Sequence, residues 1–103
     1  MSEENKKEGN INIELTPEIA EGTYANLAVI NHSNSEFVLD FINIMPGIPK
    51  AKVKSRIILT PQHAKRLAKA LIDNIQRFES QLGQIKEYEQ KDFPINFGPV
   101  GEA

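Results

Sequence analysis

Apolar residues recur at every second position along most of residues 11–59 and at every third or fourth position from 61 onward. The chain therefore reads as strands followed by one helix. Ile11, Ile13 and Leu15 alternate with polar neighbours and predict a short first strand. Residues 16–22 form a connector, with room for one helical turn after Pro17. Residues 23–31 predict a second strand, and the short polar side chains of residues 32–35 carry turn chemistry. Residues 36–44 predict a third strand, with Phe37, Leu39 and Phe41 on a core face and Glu36, Val38, Asp40 and Ile42 on an outer, solvated face. Pro46 and Pro49 break the sheet, since proline cannot supply a ladder N–H. Residues 50–59 predict the fourth strand, with Ala51, Val53, Ser55, Ile57 and Leu59 inward and Lys50, Lys52, Lys54 and Arg56 outward.

The period then changes. Thr60 is an N-cap type, and Pro61 occupies the first helical position, where its missing N–H costs nothing. Behind them Ala64, Ala68, Leu71, Ile75, Phe78, Leu82 and Ile85 step alternately by four and three, which keeps one seam on one side of a helix. The helix is predicted over at least residues 61–81. The fold class expected is α+β: a four-stranded antiparallel sheet in meander order followed by one long helix packed on one face, dimeric. Phe37, Leu39, Phe41, Val53, Ile57, Leu59, Leu67, Leu71 and Ile75 are the expected core. A seam longer than any of the strands overhangs the sheet, so Ile75, Phe78, Leu82 and Ile85 are assigned to an oligomer interface. Residues 1–10 read as a disordered N-terminal arm, 11–91 as a single domain and 92–103 as an extended C-terminal tail.

Composition narrows the function classes. The chain has 103 residues, no cysteine and a net charge of −2, which excludes a disulfide framework and a thiolate metal site. Without a signal-like or membrane-spanning apolar run, a cytoplasmic location is expected. The charge is unevenly placed. Residues 50–77 hold eight of the 12 basic residues and a single acid, Asp73, so this stretch carries +7 and the remainder −9.

Candidate chemistry is sparse. His32 and His63 stand in no metal-ligand spacing, and the serines lie in no Gly-rich elbow, so no catalytic, metal or cofactor site is assigned and the protein is not expected to be an enzyme. The remaining candidates are cations. The outward row Lys50, Lys52, Lys54 and Arg56 either pairs with Glu36 and Asp40 across the sheet or forms a basic strip, and Lys52, Lys54 and Arg56 are taken as its candidates. Lys65, Arg66 and Lys69 lie at the positive end of the helix dipole, which disfavours them by about 0.3–1 kcal/mol each. Together these six residues form the candidate partner-binding patch. No aromatic residue sits among them, so stacking on nucleic-acid bases is not indicated.

Tyr24-Ala25-Asn26, the block Ser35-Glu36-Phe37-Val38-Leu39-Asp40-Phe41, Pro46, and Leu59-Thr60-Pro61-Gln62-His63-Ala64-Lys65-Arg66-Leu67 with Leu71 resemble a small bacterial family of unknown function. The resemblance covers residues 11–85. It implies no activity, and it implies a transcription-linked setting, because members are often encoded beside RNA polymerase subunit genes. A weaker topological resemblance links the predicted strands and helix to the SecB export chaperone. The function expected is a non-enzymatic binding or regulatory protein associated with the transcription machinery through its basic surface. The alternative is a chaperone that holds unfolded polypeptides. Expected partners are a second copy of the chain and RNA polymerase or another acidic protein surface, with nucleic acid less suited and membrane excluded.

Overall fold

A computed structural model describes residues 10–87. The elements run α1 (Pro17–Ala20), β1 (Leu27–His32), β2 (Phe37–Ile42), β3 (Val53–Leu59) and α2 (Pro61–Leu82). The strands make one antiparallel sheet in the order β1-β2-β3, the meander expected, with three strands where four were predicted. Residues 11–15 keep their alternating pattern but pair with no described strand. A strand is defined by a ladder partner as much as by its own pattern, and within one chain this segment has none. Residues 1–9 of the expected N-terminal arm, residues 88–91 and the expected C-terminal tail, residues 92–103, lie outside the described residues.

Local chemistry accounts for each boundary. Thr16 caps α1, its hydroxyl oxygen accepting from the Ile19 N–H at 3.4 Å. Asn26 stands just before β1 and uses its side-chain amide as a substitute peptide. Its Nδ2 donates to the Ile44 carbonyl at 3.0 Å, and its Oδ1 accepts from the Ile44 N–H at 2.8 Å. The side chain thus prolongs the β1–β2 ladder beyond Ile42. Asn26→Ala removes both bonds and is expected to cost about 1–2 kcal/mol, read as a fall of about 4–10 °C in Tm by calorimetry.

At the other end of the hairpin, Ser33 Oγ accepts from the Ser35 and Glu36 N–H groups, and His32 stacks on Phe37 with centroids 5.3 Å apart. After β2, Ile48 N–H donates to the Met45 carbonyl across Pro46 and Gly47. Gly47 has φ +82°, the left-handed conformation that the third position of such a turn requires and that glycine adopts without strain.

The core sits on β2. Val38, Leu39 and Ile42 are its buried apolar residues, and Asp40 is fully buried among them. Both faces of β2 are therefore covered in part, and the solvated outer face expected for Val38, Asp40 and Ile42 is not found. A middle strand is flanked on both edges, so its side chains lose water on either face. Of the expected core, Leu39 is buried and Phe37, Phe41 and Leu59 are half-buried. Val53, Ile57, Leu67, Leu71 and Ile75 are exposed.

Two features explain that difference. First, a β-bulge sets Phe41 opposite Ser55 but Ile42 opposite Val53, leaving Lys54 as the extra residue. The clean alternation of β3 ends there, and Val53 moves to the Ile42 face instead of joining Ile57 and Leu59. Second, only Thr60 separates β3 from α2. A strand-to-helix connection commonly uses 2–6 residues to turn back over its sheet. With one residue the helix is not laid along the sheet, and none of its side chains is buried.

Candidate partner-binding surface

α2 begins where the sequence predicts. Thr60 is extended (φ −69°, ψ 155°), and its hydroxyl oxygen accepts from the His63 N–H at 3.1 Å. His63 thus serves at the cap through its backbone. The helix ends at Gly83, whose φ of +100° is open to glycine and whose N–H donates to the Glu79 carbonyl at 3.0 Å. Beyond it the Ile85 N–H returns to Glu79 Oε2 at 3.0 Å. Ile85 therefore lies past the helix end, and the heptad seam stops at Leu82.

Along α2, Leu67, Leu71, Ile75, Phe78 and Leu82 lie on one side and are all exposed. With 3.6 residues per turn, Lys65, Arg66 and Lys69 fall on the flank and back of that stripe, and they too are exposed. Farther along, Asp73 answers Arg77 at 3.1 Å, an exposed i, i+4 pair. None of the ion pairs found among the described residues involves Lys65, Arg66 or Lys69. The helix has no acid in its first turn. One side of α2 is apolar and the opposite side of its first half is basic.

The strand half of the patch is built differently. Arg56 lies directly across the ladder from Asp40. Its guanidinium donates twice to that carboxylate, Nε to Oδ1 at 2.7 Å and Nη2 to Oδ2 at 2.8 Å. This two-bond pairing is the strong, planar form of the interaction. The Arg56 hydrogen bonds, helped by its charge and opposed by burial, hold the Asp40 carboxyl below its ordinary value, while Asp40 raises that of Arg56. Arg56 is thus engaged inside the fold, Lys54 marks the bulge, and Lys52 precedes β3. The expected row of cations is no continuous strip. Of the two readings of that row, cross-sheet pairing holds at Arg56, with Asp40 as the acid.

Asn26 is the polar residue that sequence reasoning missed. Asp40 was read on the outer face, solvated or paired across the sheet; the register gives it Arg56 as partner, and it is buried. No group of three or more metal-ligating side chains occurs among the described residues, and no described helix is long and apolar enough to cross a membrane.

A family model described as "Protein of unknown function (DUF3467)" matches residues 1–87. The chain belongs to the DUF3467 family. The match spans every element of the fold, from α1 to the Gly83 cap and the Ile85 return, so the sheet and the long helix are features of a DUF3467 domain. No curated protein and no solved structure matches the chain. The topological likeness to SecB rested on four strands, of which three are present among the described residues.

Proposed function

We propose that the protein is a non-enzymatic binding module that self-associates through the apolar side of α2 and holds an acidic partner surface with Lys65, Arg66 and Lys69. The observation that carries this reading is the two-sidedness of α2: an uncovered apolar stripe on one side and exposed cations on the other. Those cations weaken the helix start by the dipole argument, so local stability does not account for them. An anionic partner does. The family's expected gene neighbourhood favours RNA polymerase as the source of that acidic surface.

The test is recovery of partners from native lysate by the tagged chain and by the variant carrying Lys65→Glu, Arg66→Glu and Lys69→Glu. RNA polymerase subunits are expected with the wild type and lost with the variant. They should also be lost at about 1 M salt, where the screening length is only about 3 Å. The variant's Tm should stay level or rise, because acids suit a helix N-terminus. A lowered Tm with undiminished recovery would make the three cations structural and end this reading. Recovery of many unfolded chains, insensitive to salt and to the three reversals, would instead favour the chaperone.

A further inference from the structure

We propose that residues 11–15 are a fourth strand that forms only between two copies of the chain, each copy adding this segment to the open edge of β3 in the other. The inference deepens the self-association in the reading above and supplies a contact separate from α2.

The segment has a strand's pattern without a strand's surroundings. Ile11, Ile13 and Leu15 are 75%, 85% and 67% exposed, and their neighbours Asn10, Asn12 and Glu14 are polar. No backbone hydrogen bond joins residues 11–15 to another described residue. The turn that follows is fixed by the Thr16 cap and by the Gly22 N–H donating to the Ile19 carbonyl at 3.0 Å, so the segment is held out from its own sheet. A complementary edge is present as well. In the order β1-β2-β3 the outer side of β3 has no described strand beside it, and Ile57 and Ile58 are exposed there. An edge of this kind is a template for pairing with another chain.

Register and charge select β3 over β1. Set antiparallel with Ile13 opposite Ile57, the segment places Ile11 opposite Leu59 and Leu15 opposite Ser55. All of these lie on the face that carries Leu39, because Leu39 pairs with Ile57. The alternate positions then bring Glu14 opposite Arg56 and diagonal to Lys54. A slip of one residue would put Ile13 on the Arg56 face and Glu14 among the isoleucines, which fixes the register. β1 carries no lysine or arginine to answer Glu14. Two copies exchanging segments cover the two β3 edges reciprocally, so the exchange closes as a two-fold dimer.

Because the chain has no cysteine, Ile13→Cys and Ile57→Cys can be made as separate full-length variants, mixed and oxidised. A disulfide-linked species of twice the chain mass is expected from the mixture, well above the amount from either variant alone. Asn12→Cys mixed with Ile57→Cys should not give it, because those side chains would lie on opposite faces. No linkage in the mixture, or as much from either variant alone, would overturn the proposal. Ile13→Pro removes a ladder N–H and should weaken self-association at least tenfold in sedimentation equilibrium with unchanged circular dichroism; unaltered association would also overturn it. The α2 reading fails separately. Dissociation by Ile75→Glu with no Ile13–Ile57 linkage leaves α2 standing without strand exchange, and linkage in a chain whose α2 variants still associate has the reverse meaning.

Discussion

Arg56→Met is expected to destabilise the fold by about 2–3 kcal/mol, because it strands the Asp40 carboxylate without a partner in the middle of the sheet. For a chain of this size that is a fall of about 10–20 °C in Tm. The two partners are not equivalent. Asp40 is 0% exposed and the Arg56 side chain 35%, so Asp40→Asn leaves a cation that reaches water and should cost less. Replacing both, with Asp40→Leu and Arg56→Met, should recover much of the loss, since an apolar pair removes the buried charge altogether.

The pH dependence separates these cases. In the wild type the folded-state value of Asp40 lies below its ordinary 3.8. Its contribution is therefore complete above about pH 4 and lost as pH falls through the depressed value. In Arg56→Met, burial without the cation raises the folded-state value instead. That variant should be more stable near pH 4 than at pH 7, the opposite slope. Denaturant titrations at the two pH values check this, and parallel slopes for wild type and variant would refute it.

The second large effect concerns α2. Ile75→Glu is expected to weaken at least tenfold the self-association of a species of at least twice the 11.6 kDa chain mass, and with Ile13→Pro added to leave a monomer in light scattering, with the strand signal retained. The reason is that the helix lies uncovered over about 33 Å, at about 1.5 Å per residue, and a charge at the centre of its stripe must be desolvated on association. Gln76→Glu, one residue away and on the opposite side of the helix, should leave the assembly intact. A wild type that runs as a monomer at high micromolar concentration, or an Ile75→Glu variant that associates as tightly as the wild type, would rule out the seam.

Helix α2 and its N-cap were legible because their signals are local. Thr60 and Pro61 act on a backbone within four residues, whereas Gly83 suits a helix end or, at some cost, its interior. The turn at Pro46 and Gly47 was legible for the same reason. The missing information was long-range. Nothing in residues 50–59 marks Lys54 as an extra residue, because a bulge is a property of two strands read together. Asp40 could be read as solvated or as paired across the sheet, and alternation alone gave neither its burial nor which cation, 16 residues away, is its partner. Residues 11–15 satisfied the strand pattern and still pair with nothing described, since periodicity states which face is apolar without naming an edge. The candidate patch divided along the same line: Lys65, Arg66 and Lys69 are exposed on α2, while Arg56 pairs across the sheet, one of the two readings its row allowed, and register decides between them.

The single residue between β3 and α2 also has a mechanical meaning. Thr60 is both the end of a strand and the cap of a helix, so the sheet and α2 meet at a joint with almost no slack. Leu82 lies at the far end of a rod about 33 Å long. A rotation of about 10° at Thr60 would carry that end through about 6 Å, given a rise of 1.5 Å per residue. Any event that tightens or loosens the outer edge of β3 is thereby magnified at the helix tip, as a small turn of a wrist moves the point of a long blade.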